Sequence, residues 1–121
     1  MADEVNVSIA HSAAKGGGSI GSGSLSYQSD MAGTDMGSNT MPVTTSWTVI
    51  NIPAAISFPA TLTVTNLDAT HYVELSVDNA GANTFARIQP GESGHFPGLA
   101  ALPYVKANVA ASQIQWWANE V

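Results

Sequence analysis

From residue 41 onward the chain is never far from a residue that breaks regular structure. Pro53 and Pro59 bracket Ala54-Ala55-Ile56-Ser57-Phe58. Asn66-Leu67-Asp68-Ala69 and Asp78-Asn79-Ala80-Gly81 both carry turn chemistry, because Asn and Asp side chains bond their own backbone. Pro90-Gly91 supplies the corner of a type II turn. The segments between these breaks are rich in β-branched residues and alternate with period two. Thr44 to Ile52, Thr61 to Thr65, Thr70 to Val77, Phe85 to Gln89, Gly94 to Phe96, Leu102 to Val109 and Ser112 to Trp117 read as strands. Leu99 to Leu102 and Ala107 to Gln113 offer at most one helical turn. The pattern predicts an all-β chain, an antiparallel β-sandwich or jelly roll, with a barrel as the alternative.

Side-chain parity assigns the faces. Leu62 and Val64 point inward and Thr61, Thr63 and Thr65 outward. Val73, Leu75 and Val77 share one face, as do Trp47, Val49 and Asn51. If Pro90-Gly91 joins a tight hairpin, Gly94 to Phe96 pairs back on Phe85 to Gln89, and Arg87 lies near Glu92. A cross-strand ion pair of that kind sets register and contributes about 0.2–1 kcal/mol. The rival expectation places Arg87 in a subunit contact, where its rigid guanidinium suits carboxylates.

The first 40 residues differ. Val5, Val7 and Ile9 alternate with polar residues in a short strand over 5–10. Residues 12–40 then hold seven glycines and many Ser, Thr and Asn. Glycine has much conformational freedom to lose on ordering. A structureless loop of such length is rare inside a compact domain. The expectation is one domain spanning 1–121, with 12–40 as an extended arm or long loop within it. Leu25 and Tyr27 anchor the arm, Ser24 to Gln28 form a strand, and a partner subunit lends order.

Charge excludes several classes of function. Charged residues make up 10% of the chain, against about 25% in ordinary domains. Nine acids oppose Lys15, Arg87 and Lys106, for a net charge of −6. Nucleic acid and anionic membranes both need clustered bases, so neither is expected as a partner. The N-terminus carries acids where a secretion signal carries bases, and no apolar run approaches the roughly 20 residues of a membrane span. A soluble chain with no address is expected. There is no cysteine, which removes disulfides and thiolate metal sites and fits a reducing compartment.

No constellation points to catalysis. His11, His71 and His95 stand apart from one another, and a zinc site needs three or four converging ligands. The acids are scattered, so nothing selects a glycosidase pair. Asp78 to Asn83 has oxygen ligands near a glycine but lacks the acidic density of a calcium loop; it reads as a strand connection. Gly21-Ser22-Gly23 lacks the frame of a nucleophile elbow, and Gly16-Gly17-Gly18-Ser19 lacks the lysine and helix of a phosphate loop. No catalytic, cofactor or metal residues are expected.

The aromatic residues are more informative. Trp116 and Trp117 are adjacent in a strand, so their rings point to opposite faces. Of the three tryptophans, two are accounted for as core. The third, Trp116 or Trp117, becomes an interface anchor, because Trp is enriched at the centres of protein contacts. An exposed ring also suits stacking on a sugar, and cover by the chain's own loops would leave it no role. The interface candidates are Trp116, Trp117, Arg87, Leu25 and Tyr27.

Three stretches carry a likeness: Leu62 to Leu75 with its Asn-Leu-Asp turn, Phe85 to Glu92 with its Pro-Gly-Glu turn, and the Pro103-Tyr104-Val105-Lys106-Ala107-Asn108 strand. In this order they resemble a family of small proteins encoded among the structural genes of tailed bacteriophages. Asp30-Met31-Ala32-Gly33 matches that family more loosely; the Trp pair and the Gly-rich region do not match it. The resemblance implies a non-enzymatic virion component, assembled in the host cytoplasm, such as a capsid decoration protein. Its partners would be other virion proteins, above all the major capsid protein, and further copies of itself in a homo-oligomer. The alternatives are a tail or baseplate accessory and, from the aromatic residues, a glycan-binding module.

Overall fold

The computed structural model describes residues 4–15, 18–30 and 36–120. Among these residues there is no helix, and the strands pair antiparallel throughout. The chain divides into two compact units, Met1–Ala32 and Gly33–Val121.

The first unit is a hairpin of β1 (Glu4–Lys15) and β2 (Gly18–Asp30). Its ladder runs from Glu4↔Asp30 to Lys15↔Gly18, with a bulge at Ala13/Ala14. The strand expected at 5–10 and that expected at Ser24–Gln28 are thus partners. The Gly/Ser-rich stretch of 12–40 does not form one element. It runs through this hairpin to Asp30 and resumes at Met36 in the first strand of the second unit.

The second unit holds β3 (Met36–Val43), β4 (Thr48–Val49), β5 (Ala60–Asn66), β6 (Val73–Ser76), β7 (Thr84–Ile88), β8 (Ser93–Leu99), β9 (Tyr104–Ala107) and β10 (Ser112–Glu120). They form two four-stranded sheets, β3-β10-β5-β8 in front and β4-β9-β6-β7 behind. The order is nested. β6 pairs with β7, β5 with β8, β4 with β9 and β3 with β10, as in one long hairpin folded across itself. The β10·β5 and β9·β6 ladders join its two halves.

Alternation in the sequence fills the space between the sheets. Met41, Leu62, Val64, Ile114 and Trp116 come from the front sheet, and Val73, Leu75, Ile88 and Val105 from the back. Burying an aliphatic side chain of this size contributes about 1.5–3 kcal/mol. Trp116 is the largest fully buried side chain, and its indole N–H donates to Asn51 Oδ1 at 2.7 Å.

One corner ties the sheets together. Asn66 is completely buried at the end of β5. Its Nδ2 donates to the carbonyls of His71 at 2.8 Å and Ile88 at 3.1 Å, and its Oδ1 accepts from Asp68 N–H at 3.0 Å. Its backbone bonds both ways across the Pro90-Gly91 turn, N–H to Glu92 O and C=O from Gly91 N–H. Asp68 continues the corner. It accepts from the backbone of Thr70 and His71 and from the Ser112 hydroxyl. These donors, the two backbone amides first, hold its carboxyl well below the usual aspartate value of 3.8.

Three expectations are corrected. Pro90-Gly91 is a turn, with Gly91 at φ +75° and Glu92 N–H bonded to Gln89 O, but it closes no hairpin. Ile88 and Phe96 belong to opposite sheets of one core, so the turn carries the chain from the back sheet to the front. Val77 does not follow Val73 and Leu75 inward. A bulge at Leu75/Ser76 breaks the alternation, burying Ser76 and leaving Val77 59% exposed. The strand expected over Thr44 to Ile52 shrinks to Thr48–Val49, because the Thr44 hydroxyl bends the chain by bonding Ser46 N–H.

Asn66→Ala should cost about 3 kcal/mol or more in urea unfolding, since two buried carbonyls lose their donor. Asp68 gives the corner an acid dependence. A depressed carboxyl stabilises the fold above its unfolded pKa, and that contribution is lost as pH falls below about 4. Asp68→Asn should therefore be less stable than the parent at pH 6, with the gap narrowing as both are titrated below pH 3.8.

Candidate interaction surface

The outward face of the front sheet is built by parity and register alone. Ser38, Trp117, Thr63 and His95 form one row across β3, β10, β5 and β8. Thr40, Gln115, Thr65 and Ser93 form the next. Met36 lies opposite Asn119, diagonal to Trp117. Trp117 is 42% exposed and Met36 67%. Among the described residues, no Asp, Glu, Lys or Arg takes an outward position on these four strands. Glu120 stands on the inward face and accepts from the backbone and hydroxyl of Ser57. Burial pushes the pKa of His95 down, which favours its neutral form, and its Nδ1 lies 2.9 Å from the Thr63 hydroxyl.

The threonine column is already hydrogen-bonded. Thr61 donates to Pro97 O, Thr63 meets His95, and Thr65 meets Ser93 at 2.7 Å. These contacts lower the cost of removing the face from water, because each hydroxyl keeps a partner when the solvent leaves.

The sheet edges are closed to further strands. On β3, Pro42 has no N–H, and the Thr40 N–H is taken by Asn39 Oδ1 at 2.8 Å. β8 contains Pro97 and a bulge opposite Ala60/Leu62. β4 has only two residues, and β7 ends the back sheet after five. Short, bulged and proline-bearing edges resist strand addition.

The back sheet presents a different outer surface. Glu74 stands between Arg87 on β7 and Lys106 on β9. Arg87 reaches Glu74 at 3.7 Å and lies 4.0 Å above the Tyr72 ring. The expected pairing with Glu92 is replaced, because β7 runs beside β6 and not beside β8. Arg87 is engaged within its own sheet, and such a surface pair contributes at most about 1 kcal/mol. Trp47 is likewise not core. It is half-buried on this outer face, under the Lys106 ammonium at 5.2 Å and against Gly81. A Cβ at Gly81 would come within 2.5 Å of the indole nitrogen, and its φ of +72° also requires glycine.

Trp116, a candidate from the sequence, is 1% exposed and serves the core. Trp117 is the ring that faces out. Leu25 and Tyr27 pair with Ile9 and Val7 in the hairpin; their side chains lie outside the described residues. Met36 escaped the sequence reading because its place beside Trp117 depends on a pairing between the two ends of the second unit.

The remaining chemistry is structural. Asp78 accepts from Ala80 N–H, Ala82 N–H and the Asn83 amide, and these donors, Asn83 foremost, hold its carboxyl below the usual range. N–H groups occupy the oxygens a calcium ion would use. His71 closes the Asp68 turn, 3.5 Å from that carboxylate. Among the described residues, no three His, Cys, Asp or Glu side chains converge as metal ligands, and no helix is long and apolar enough to cross a membrane. No protein-family model, no curated protein and no solved structure matches the chain.

The two adjacent tryptophans should separate cleanly. Trp116→Ala should cost about 3–5 kcal/mol in chemical unfolding, as for other large aromatic truncations in a core. Trp117→Ala should cost less than about 1 kcal/mol, as for a surface position.

Proposed function

We propose that this chain is a non-enzymatic structural subunit of a bacteriophage particle, docking on another virion protein through the outer face of its front sheet. The observation that carries this reading is Trp117, set with Met36 in a face that has no charged group among the described residues. Central aromatic anchors with few charges and a neutral polar surround are the composition of a protein contact core. The engaged threonine hydroxyls favour a protein partner over a sugar, since a glycan site needs polar groups aimed at the ligand beside the ring.

The nested strand order supports the reading from a second side. Two sheets joined as a doubled-over hairpin suit a jelly roll, an architecture used by viral capsid and lectin domains. Fold analogy sets a class and no partner. The resemblance of Leu62–Leu75, Phe85–Glu92 and Pro103–Asn108 to phage structural proteins narrows the class to virion components. A capsid decoration protein bound to the major capsid protein is the form proposed, with a tail or baseplate accessory as the variant of the same reading.

Co-sedimentation with purified phage heads tests it. The parent chain should pellet with particles, and Trp117→Ala should bind at least about thirtyfold more weakly, the loss typical of a hot-spot residue. An unbound chain that instead binds immobilised glycans, and loses this on Trp117→Ala, would replace the particle reading with a lectin-like one.

A further inference from the structure

The outer face of the front sheet has no permanent charge at its outward strand positions, but one group there titrates near neutrality. His95 stands on β8 in the row of Thr63 and Trp117, two strands from the exposed indole. Paired strands lie about 4.8 Å apart, so about 10 Å separates the two positions. A protein contact of ordinary size covers about 800 Å² on each side. A partner centred on Trp117 therefore covers His95 as well.

The strands around His95 bring no charge to it. On β5 its neighbours are Thr63, directly opposite, with Thr61 and Thr65 on either side. Along β8 they are Ser93 and Pro97, and β10 adds Trp117 beyond Thr63. None of these titrates. Glu92, the acid closest along the chain, is three residues or about 10 Å away. It lies in the turn before β8, where its carbonyl accepts from Asn66 N–H.

The imidazole is half-buried, and its Nδ1 lies 2.9 Å from the Thr63 hydroxyl. With its proton on Nε2, the neutral ring accepts the hydroxyl hydrogen at Nδ1. An imidazolium has two donors and no acceptor. Protonation then turns the Thr63 hydrogen away from the ring. Water takes it in the unbound chain, whereas a dry contact leaves it unmet, and the new charge loses its hydration there too.

We propose that His95 is a proton switch on this face: the neutral ring seats against a protein partner, and protonation releases that partner. The inference rests on the docking proposed for the Trp117 face and supplies its regulation. Burial already holds His95 below the usual histidine value of 6.5, and a partner removes more water and lowers it further. The sign follows. Docking is at full strength above the pKa of the unbound chain and weakens as pH falls through it. Well below that pKa, each pH unit costs about tenfold in affinity, because one proton must be shed on binding. The acid dependence of the Asp68 corner lies lower, below about pH 4.

Two measurements test the switch. Nuclear magnetic resonance of the His95 ring protons gives the pKa of the unbound chain. Co-sedimentation with phage heads gives affinity against pH. One unit below the measured pKa the parent should bind about tenfold more weakly than at about pH 8. His95→Gln should match the parent at about pH 8 and lose the difference in pH response, since its amide stays neutral. His95→Lys should bind at least about tenfold more weakly across the range, because it carries its charge throughout. The buried Trp116 signal in near-ultraviolet circular dichroism checks that every variant is folded. A parent that pellets at about pH 8, depends on Trp117 and keeps its affinity below the His95 pKa would overturn the switch and leave the docking reading standing. Tighter binding in acid, or equal weakening of the parent and His95→Gln, would do the same. A parent that fails to pellet at any pH would overturn both.

Discussion

The second unit depends on a single buried amide. Asn66 stands where the front sheet ends and the path to the back sheet begins, and it satisfies carbonyls from two separate segments while accepting from its own turn. Buried carbonyls without donors are costly, so a corner between two sheets needs such a group. No apolar residue could do this, and a charged one would add a desolvation penalty. Asp68 extends the same logic to the surface, where its carboxylate binds the turn to the start of β10 through Ser112. The Asn-Leu-Asp turn is therefore a joint at which β5, β6, β7, β8 and β10 are brought into register.

What could be read from the sequence was local. Period-two alternation placed Leu62, Val64 and the threonines on their proper faces, and adjacency alone sent Trp116 and Trp117 to opposite sides. The Pro-Gly corner was legible because proline and glycine fix the backbone at that point. What could not be read was pairing. Whether Pro90-Gly91 closes a hairpin or crosses between layers depends on bonds to Asn66, over twenty residues away, and so Arg87 pairs with Glu74 where the local pattern points to Glu92. The bulge at Ser76 leaves no sequence mark, and the alternation that points Val77 inward stops one residue earlier. Trp47 looked like core because large aromatics usually are. Its actual cover, Lys106 and Gly81, comes from a strand and a loop distant in the sequence.

The two outer faces of this unit divide their labour. Behind, Arg87 pairs with Glu74 and lies over Tyr72, while Lys106, in register with Glu74, lies over Trp47. In front, hydroxyl and amide groups surround Trp117. A surface of the first kind stays in water cheaply. One of the second kind gives up water cheaply. A chain so poor in charge has placed both bases of this unit away from the side that carries the exposed indole.

The nested strand order also governs when that side can exist. Pairing β6 with β7 closes a short loop, whereas β10 must join β3 and β5 from the far end of the unit, and loop-closure entropy makes such distant contacts late ones. The strand bearing Trp117 is thus inserted between two others as the front sheet is completed. The outer face around Trp117 is in this way a late product of folding. A half-made molecule has no such surface, and the proposed docking would have to wait for the whole one.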